Sequence, residues 1–268
     1  MTKPLILVTN DDGVDSPGLW AAVEAVAPFG EVLVVAPDRQ WSAAGRSMPR
    51  HVTGELTEKQ HEIYGGQVVH VYSVDATPAL CVVHAMMEFA PRQPALLVAG
   101  INFGENVSTE VTISGTVGAA LEAAAFGVPA LAVSLEMTVA EHLTGGEAKD
   151  YTAAQHFTAY FARRMLDRAL PYDVSVVNVN VPDTATPETS WRLTRLSRQR
   201  YFLPLSPDRK NGNGRPTYTV LADPRLAEPD SDVWALRVAR VVSVTPLSLD
   251  ITSRADFGAI EEPLRGEE

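Results

Sequence analysis

The chain has 268 residues, 46% of them hydrophobic and 21% charged, a mixture that is typical of globular proteins and excludes a wholly disordered chain. Its formal net charge of −11 argues against a protein that wraps a nucleic-acid polymer, because such binding depends on clustered Lys and Arg. The single cysteine, Cys81, excludes an intrachain disulfide, and its apolar surroundings predict a buried thiol.

The N-terminal segment predicts neither secretion nor membrane insertion. The apolar run that follows Met1-Thr2-Lys3-Pro4 is too short for the apolar region of a signal peptide. No stretch of the sequence reaches the roughly 20 apolar residues that a membrane-spanning helix needs. We therefore expect a cytoplasmic protein that has no membrane partner.

The first predicted element ends in two adjacent carboxylates. Residues 5–9 are an apolar run typical of a central strand in a parallel sheet, and Asn10-Asp11-Asp12-Gly13 follows directly. Ligands of open α/β sheets bind at the carboxyl ends of strands, where a hard divalent cation such as Mg²⁺ would relieve the repulsion between the two aspartates. A polar turn without a ligand is the alternative interpretation, since Asp and Gly are common in turns.

Strand-like and helix-like segments alternate through the first two thirds of the chain. Apolar runs predict strands at 31–36, 67–74, 95–101, 129–135 and 174–181, the second of them after a hairpin-like stretch near Gly65-Gly66. Helices are predicted at 16–27, 77–89, 115–126 and 151–166, and a mobile loop at 138–150. The first two helices open with Ser16-Pro17 and Thr77-Pro78. This rhythm predicts a doubly wound, mainly parallel sheet of the α/β class.

The last third predicts β structure rather than further βαβ units. Residues 191–197, 218–222 and 233–245 have strand-like composition. Residues 204–216 are rich in Pro, Gly and Asn, which predicts a long exposed hairpin or arm. We expect this arm to serve contacts between subunits of a homo-oligomer.

Three further loops carry candidate ligands. The loop after the second strand offers the hydroxyl of Ser42 beside Arg39 and Arg46, and the loop after 95–101 offers the amide oxygen of Asn102. Ser114-Gly115-Thr116 begins a helix, whose free amides are a ready site for an anion. Each loop also has an interpretation without a ligand. The loop with Ser42 would be a solvated loop, the loop with Asn102 a tight turn, and Ser114 an ordinary N-cap of its helix.

Together the four loops supply two carboxylates, a hydroxyl and an amide oxygen for a metal, with a helix N-terminus for a phosphate group. This set of groups predicts metal-assisted hydrolysis of a phosphomonoester. The sequence has no P-loop and no G-x-G-x-x-G motif, which disfavours a binding site for a nucleoside triphosphate or a dinucleotide. It has no H-E-x-x-H motif and no cysteine cluster, which disfavours a zinc site, and no G-x-S-x-G motif, which disfavours a serine nucleophile.

Two alternatives to this function stay open. One is a haloacid-dehalogenase-like phosphatase with an Asp nucleophile, although that class uses Asp-x-Asp, and the other is a non-catalytic sensor of nucleotide or phosphate.

In the order of its motifs, the chain resembles the SurE family, stationary-phase survival proteins that are metal-dependent nucleotidases. The resemblance covers nearly the whole chain and rests on the following segments: 6–13 with 16–18, 36–39 with Ser42, Thr77-Pro78, 100–102 with Gly104 and Asn106, 114–117, 178–182 and 243–247. Each segment is weak alone, and their ordered combination is highly specific. The chain departs from the family at Ala76, Leu80 and residues 107–109, where the family usually has Gly, Asp and Leu-Gly.

The resemblance implies a Rossmann-like fold with a C-terminal β-hairpin extension that forms dimers or tetramers. We accordingly assign residues 1–185 to a catalytic core and residues 186–268 to the hairpin extension and oligomerisation segment of the same domain. The resemblance also implies hydrolysis of nucleoside 5'-monophosphates, and of 3'-monophosphates as a further class, with one Mg²⁺ or Mn²⁺ ion per subunit.

The resemblance, together with the loops above, also implies the site residues. Asp11, Asp12, Ser42 and Asn102 are expected to hold the metal. Catalytic roles are expected for Asp11, Asp12 and Asn10, with both aspartates ionised and either one orienting or deprotonating the attacking water. The residues expected to bind the substrate phosphate are Asn106, Ser114, Gly115, Thr116 and Gly45. Trp41 and Phe103 are expected to shape the pocket for the base or sugar.

Overall fold

A nine-stranded sheet forms the centre of the computed structural model, which describes residues 3–63, 66–138, 141, 149–209, 214 and 216–265. The strands are β1 (Leu5–Thr9), β2 (Glu31–Pro37), β3 (Leu56–Glu62), β4 (Val68–Val74), β5 (Leu96–Phe103), β6 (Ala130–Leu135), β7 (Val176–Val181), β8 (Trp191–Leu193), β9 (Phe202–Leu205), β10 (Thr217–Val220) and β11 (Val242–Leu247). The helices are α1 (Pro17–Val26), α2 (Pro78–His84), α3 (Gly115–Ala125), α4 (Thr152–Asp167), α5 (Asp232–Arg237) and α6 (Phe257–Arg265).

The strand order of the sheet is β3-β4-β2-β1-β5-β6-β7-β11-β8. The six strands from β4 to β7 are parallel, whereas β3 and β11 pair antiparallel with their neighbours β4 and β7. Chain order runs outward from β1 to one side and from β5 to the other. The predicted doubly wound, mainly parallel α/β fold is therefore confirmed, with its topological switch point between β1 and β5.

Two hydrophobic cores lie on the two faces of the sheet. Along β1, Ile6 and Val8 point into the core under α1 and α4, and Leu5 and Leu7 point into the core under α2 and α3. Because both faces are covered, every residue of β1 is buried, as its apolar run predicts. Cys81, on α2, is a buried free thiol, as predicted.

The helix starts predicted from Ser and Thr are confirmed. The hydroxyl oxygens of Ser16, Thr77 and Ser114 accept hydrogen bonds from the amides three residues further on, at the N-termini of α1, α2 and α3. Proline follows the cap in α1 and α2, where its missing N–H costs no helical hydrogen bond. These caps place the polar loops that precede each helix at the carboxyl edge of the sheet.

One expectation about secondary structure is wrong, and one strand is missed. Residues 233–245, which have strand-like composition, form α5 before β11, because the hydroxyl oxygen of Ser231 accepts from the amide of Trp234 and starts a helix. The edge strand β3 is absent from the sequence prediction, since all seven of its residues are exposed and carry no apolar alternation. A π-helical turn at Ala85–Phe89 extends α2 to the predicted end of that helix.

The last third is divided between the main sheet and a separate hairpin. β8 and β11 extend the nine-stranded sheet, while β9 and β10 form a two-stranded antiparallel hairpin. The hairpin confirms the predicted C-terminal extension. Parts of the predicted hairpin-like stretch (64–65), loop (139–140 and 142–148) and arm (210–213 and 215) lie outside the described residues. None of the helices that the structure describes is long and apolar enough to span a membrane.

Asp232 ties α5 to two distant segments. Its carboxylate is fully buried and accepts hydrogen bonds from the backbone amides of Ser108 (2.7 Å) and Ser197 (2.9 Å). It also accepts from the amide of Val233 at 2.8 Å. The carboxylate therefore satisfies amide groups that would otherwise be buried without an acceptor.

Replacing Asp232 by Ala should lower the free energy of unfolding by about 3 kcal/mol, because unsatisfied buried amides cost about 1–3 kcal/mol each. The matched control is Asp230→Ala, since the carboxylate of Asp230 contacts only exposed Arg195 in the described structure, at 3.3 Å. Urea denaturation measures both variants. Equal stability of the two variants would contradict the role given to Asp232.

Candidate active site

The candidate site lies where the strand order reverses. Asp11 and Asp12 follow β1, and Asn102 lies at the end of the neighbouring parallel strand β5. The carboxyl ends of the two strands meet at this edge, and the crevice outside a switch point is where open α/β sheets bind ligands. The fold therefore brings together residues that are about ninety positions apart in the sequence.

A bulge in β5 sets the position of Asn102. The register of β5 against β6 shifts between Ala99 and Asn102, and Gly100 in the bulge has a φ of +129°. A Cβ atom on Gly100 would lie 2.3 Å from the carbonyl oxygen of Val133. The side-chain amide of Asn102 donates to the carbonyl oxygen of Gly104 at 2.5 Å, so its Oδ1 is the atom left to bind a cation.

The N-terminus of α3 holds the Asp11 carboxylate. The Thr116 hydroxyl donates to Asp11 Oδ1 at 2.5 Å, and the amides of Gly115 and Thr116 also hydrogen-bond to this carboxylate. A Cβ atom on Gly115 would lie 2.7 Å from both the Cβ and Oδ2 atoms of Asp11. Only glycine at position 115 allows the helix to approach the carboxylate this closely.

The loops after β5 and β2 hold Asp12 and the chain around it. The Phe103 amide donates to Asp12 Oδ2 at 2.9 Å, and Gln40 Nε2 donates to Asp12 Oδ1 at 3.3 Å. The Trp41 amide donates to the carbonyl oxygen of Asp11 at 2.7 Å. These bonds fix the loop that carries Ser42 against the aspartate pair.

Both carboxylates are hard to ionise in this environment. Burial raises the pKa of Asp11 to about 6, although the hydrogen bonds from Thr116 and the backbone lower it. Burial, and then the negative charge of Asp11, raise the pKa of Asp12 to about 7. Arg39 pairs with Asp38 and Asp75, and Arg46 pairs with Glu122. In the described part of the chain no Lys or Arg forms an ion pair with either aspartate, and a bound cation would lower both pKa values.

An acidic pocket of about 260 Å³ opens beside Asp11. Asp12 lines a second pocket, which shares Gln40 and Phe103 with the first and also contains Arg39. The described lining of the first pocket consists of Asp11, Gln40, Ser42, Ala43, Asn102, Phe103, Gly104, Glu105, Asn106, Glu110, Ile113, Ser114, Phe202 and Tyr218. Three of these residues are acidic and none is Lys, Arg or His. The negative field of such a pocket repels a phosphate group unless a cation is bound.

The donor atoms suit a hard divalent cation. The predicted ligands offer two carboxylates, the hydroxyl of Ser42 and the amide oxygen of Asn102, and Mg²⁺ or Mn²⁺ prefers oxygen ligands of this kind. Within the described residues, no group of three or more His, Cys, Asp or Glu side chains is arranged to hold a metal. The site therefore depends on neutral oxygen ligands in addition to the two aspartates.

The residues predicted to bind phosphate fall into two groups. Asn106 and Ser114 line the pocket, and the Ser114 oxygen also accepts from the Val117 amide at 3.1 Å as the helix cap. Gly115, Thr116 and Gly45 are not among the described residues that line the pocket. Thr116 and Gly115 contact Asp11, and the Gly45 amide donates to the carbonyl oxygen of Ile113.

Asn10 lies behind the site in the turn after β1. It is fully buried, and its side-chain amide donates to the carbonyl oxygen of Gly13 (2.9 Å) and to the hydroxyl of Ser16 (2.8 Å). These bonds shape the turn that presents Asp11 and Asp12. A direct catalytic role for Asn10 stays a prediction.

Sequence reasoning missed the residues that hold Asn106. Asn180 on β7 accepts from the Asn106 amide at 2.7 Å and donates to its carbonyl oxygen at 3.0 Å, and Asn178 donates to that oxygen at 2.9 Å. The side-chain amide of Asn106 donates to Ser134 Oγ at 2.9 Å. The signal was present in the sequence, because two asparagines alternate with valine in an otherwise buried strand.

Comparisons with known proteins agree over almost the whole chain. The family model for "Survival protein SurE" matches residues 6–202. The chain is 44% identical to the 5'-nucleotidase SurE of Thermococcus gammatolerans, over 98% of this chain and 96% of that protein. It is 42% identical to the 5'-nucleotidase SurE of Methanocella arvoryzae, over 97% of each. The crystal structure of the SurE protein from Aquifex aeolicus matches with a TM-score of 0.70 and 30% identity, over 98% of this chain and 100% of that one.

Replacing Thr116 by Val should raise the pKa of Asp11, because it removes a hydrogen bond that lowers this pKa. Protons then compete better with the metal for the carboxylate, so we expect the affinity for Mn²⁺ at pH 7 to fall about tenfold. The difference in affinity from wild type should become smaller above pH 8. Isothermal titration calorimetry measures the affinity.

The matched control for this variant is Thr158→Val. The Thr158 hydroxyl is also buried in a helix, but it donates to the carbonyl oxygen of Ala154 on α4. An equal loss of Mn²⁺ affinity in both variants, or none in Thr116→Val, would refute the assignment.

Proposed function

The chain belongs to the SurE family, and on this premise we propose that it is a metal-dependent phosphomonoesterase that hydrolyses nucleoside 5'-monophosphates to nucleoside and phosphate. One observation carries the proposal. The buried carboxylate of Asp11 lies at an acidic pocket whose described lining has no cationic side chain, and Asp12 follows Asp11 directly after β1. A dianionic phosphate enters such a pocket only together with a cation. The relatives named 5'-nucleotidase support the nucleotide as substrate, and 3'-monophosphates are a further substrate class of the proposal.

We assign the metal ligands to Asp11, Asp12, Ser42 and Asn102, with one Mg²⁺ or Mn²⁺ ion per subunit. Two carboxylates balance the charge of a divalent ion, and the two neutral ligands add oxygen atoms without adding negative charge. When bound, such an ion polarises a phosphoryl oxygen and lowers the pKa of a water ligand.

The chain's own residues orient the reacting groups. Asp11 is held by three donors from α3, which commit it to a fixed position. Asp12 has two donors, from Gln40 and Phe103, and we assign to it the orientation of the attacking water. Asn106 and Ser114 line the same pocket and are the residues we assign to the phosphate oxygens.

A phosphate-release screen over nucleoside monophosphates with Mg²⁺, Mn²⁺ or chelator tests the proposal. We expect release with either metal, none with chelator, and background release from Asp12→Asn with an unchanged melting temperature. The control is Asp15→Asn, an exposed aspartate of the same turn, which should keep full activity.

Full metal-dependent activity of Asp12→Asn, or activity in chelator, would refute the mechanism. A trapped phospho-aspartate would instead support the haloacid-dehalogenase-like alternative. Nucleotide binding without turnover in either metal would support the sensor.

We also propose that the protein acts in the cytoplasm as a homo-oligomer, a dimer or tetramer assembled through its C-terminal extension. The terminal helix α6 supports this assembly, because none of its residues is buried. Phe257, Ile260 and Leu264 recur at helical spacing and form an apolar stripe, in which Phe257 is 68% exposed and Leu264 is 80% exposed. Apolar stripes of this kind pack against a partner in most proteins.

Introducing two charges, Phe257→Asp with Leu264→Asp, should reduce the molar mass of the particle, because a carboxylate cannot be buried against a partner without cost. Light scattering after size-exclusion chromatography measures the mass. The control is Glu262→Ala on the same helix, which should leave the mass unchanged. An unchanged mass of the charged variant would remove α6 from the interface.

A further inference from the structure

The hairpin β9–β10 supplies an aromatic wall to the candidate active site. Phe202 and Tyr218 line the same pocket as Asp11 and Asn102. Their rings lie 5.2 Å apart between centroids at an interplanar angle of 80°, an edge-to-face arrangement. The proposed phosphate chemistry uses neither ring.

We propose that Phe202 and Tyr218 form a platform on which the nucleobase of the substrate stacks, so that the hairpin selects nucleotides over phosphomonoesters without a base. This inference rests on the proposed function. Three of the proposed metal ligands, Asp11, Ser42 and Asn102, line the same pocket as the two rings, so a nucleotide whose phosphate lies at these ligands has its base within reach of the hairpin. Aromatic side chains are the usual partners of a nucleobase, because every base has a π-face.

Hydrogen bonds of Tyr201 attach the base of the hairpin to residues that line the pocket. The hydroxyl of Tyr201, which directly precedes β9, donates to Glu105 Oε1 at 2.7 Å and accepts from Arg237 Nη1 at 2.5 Å. The Tyr201 amide donates to Glu110 Oε2 at 3.3 Å. Glu105 and Glu110 line the pocket themselves, so these bonds set the distance between the aromatic wall and the metal ligands.

The second strand of the hairpin is fixed by the same residue. The amide of Leu221, just after β10, donates to the Tyr201 carbonyl oxygen at 2.8 Å. Phe202, Tyr201 and Leu221 also pack in a small core with Val107 and Leu236. Phe202 is thus part of the packed structure at the base of the hairpin, and its ring contacts that of Tyr218.

The negative charge of the pocket favours a neutral base beside the aromatic pair over a second phosphate group. Glu105 and Glu110 line the same pocket as the aromatic pair, with exposed Arg200 3.5 Å from the Glu110 carboxylate. Burial and then the charge of Glu105 raise the pKa of the Tyr218 hydroxyl. A further phosphate group in this place would meet two carboxylates. A nucleoside monophosphate avoids this repulsion, because its negative charge stays at the proposed metal ligands.

The strand register provides a matched control on the hairpin itself. Tyr218 lies opposite Pro204, and Val220 lies opposite Phe202, so these four residues share one face. Thr219 lies between Tyr218 and Val220 and belongs to the other face. A substitution at Thr219 therefore perturbs the same strand without removing an aromatic ring from the pocket.

Steady-state kinetics with AMP and with ribose 5-phosphate, which lacks a base, tests the platform in Tyr218→Leu, Tyr218→Phe and Thr219→Ala. We expect Tyr218→Leu to raise the KM for AMP about tenfold, with kcat and the kcat/KM for ribose 5-phosphate within twofold of wild type. Tyr218→Phe keeps the π-face and should behave like wild type, as should Thr219→Ala. Equal losses on both substrates, or an unchanged KM for AMP, would overturn the inference.

The dissociation constant of adenosine, measured by calorimetry with Mn²⁺ present, separates this inference from the proposed function. We expect adenosine to bind Tyr218→Leu about tenfold more weakly than wild type. If the wild type releases phosphate from neither substrate, the proposed function fails, and weaker adenosine binding by Tyr218→Leu still supports the platform. Equal affinity of the two proteins, or no adenosine binding by wild type, overturns it.

Discussion

The candidate site depends on two adjacent carboxylates at the end of the central strand, of which Asp11 is buried and Asp12 is partly buried. Burial raises the pKa of Asp11 to about 6 and that of Asp12 to about 7, and the negative charge of Asp11 adds to the increase at Asp12. Several features of the surrounding chain compensate for the cost of burial. They are the close approach of α3 at Gly115, the Thr116 hydroxyl, the Phe103 amide and the Gln40 side chain. Hydrogen bonds do not supply positive charge, and we propose that a bound cation supplies it.

Segments from β7 onwards complete the wall of the pocket, although the chain after β7 departs from the βαβ alternation. The loop 104–110 carries Glu105, Asn106 and Glu110, and each of these residues is held by a later segment of the chain. Asn178 and Asn180 bind the backbone of Asn106, and Tyr201 binds both glutamates. The buried carboxylate of Asp232 then fixes Ser108 in the same loop. The pocket consequently has a wall that exists only when the whole chain is folded.

The main strands and three capped helices were predictable because their signals are local. An apolar run such as residues 5–9 and a cap such as Ser114 report on burial and hydrogen bonding within a few residues. The missed strand and the wrongly predicted strand also have local causes. Strand β3 is exposed along its whole length and has no apolar pattern, and α5 begins at a cap that overrides the strand preference of its β-branched residues. Neither failure moves a predicted ligand.

The sequence by itself determined the fold class, the family and the four candidate ligands, because strand-end positions in a parallel sheet converge whatever the details of packing. Only the tertiary structure decided what each neighbouring group does. It turns Gly115 and Thr116 towards Asp11, places Asn10 behind the turn, and brings Phe202 and Tyr218 to the pocket. The contact between Thr116 and Asp11 joins residues 105 positions apart, and a contact of that range depends on how helices and strands pack, which no local pattern encodes.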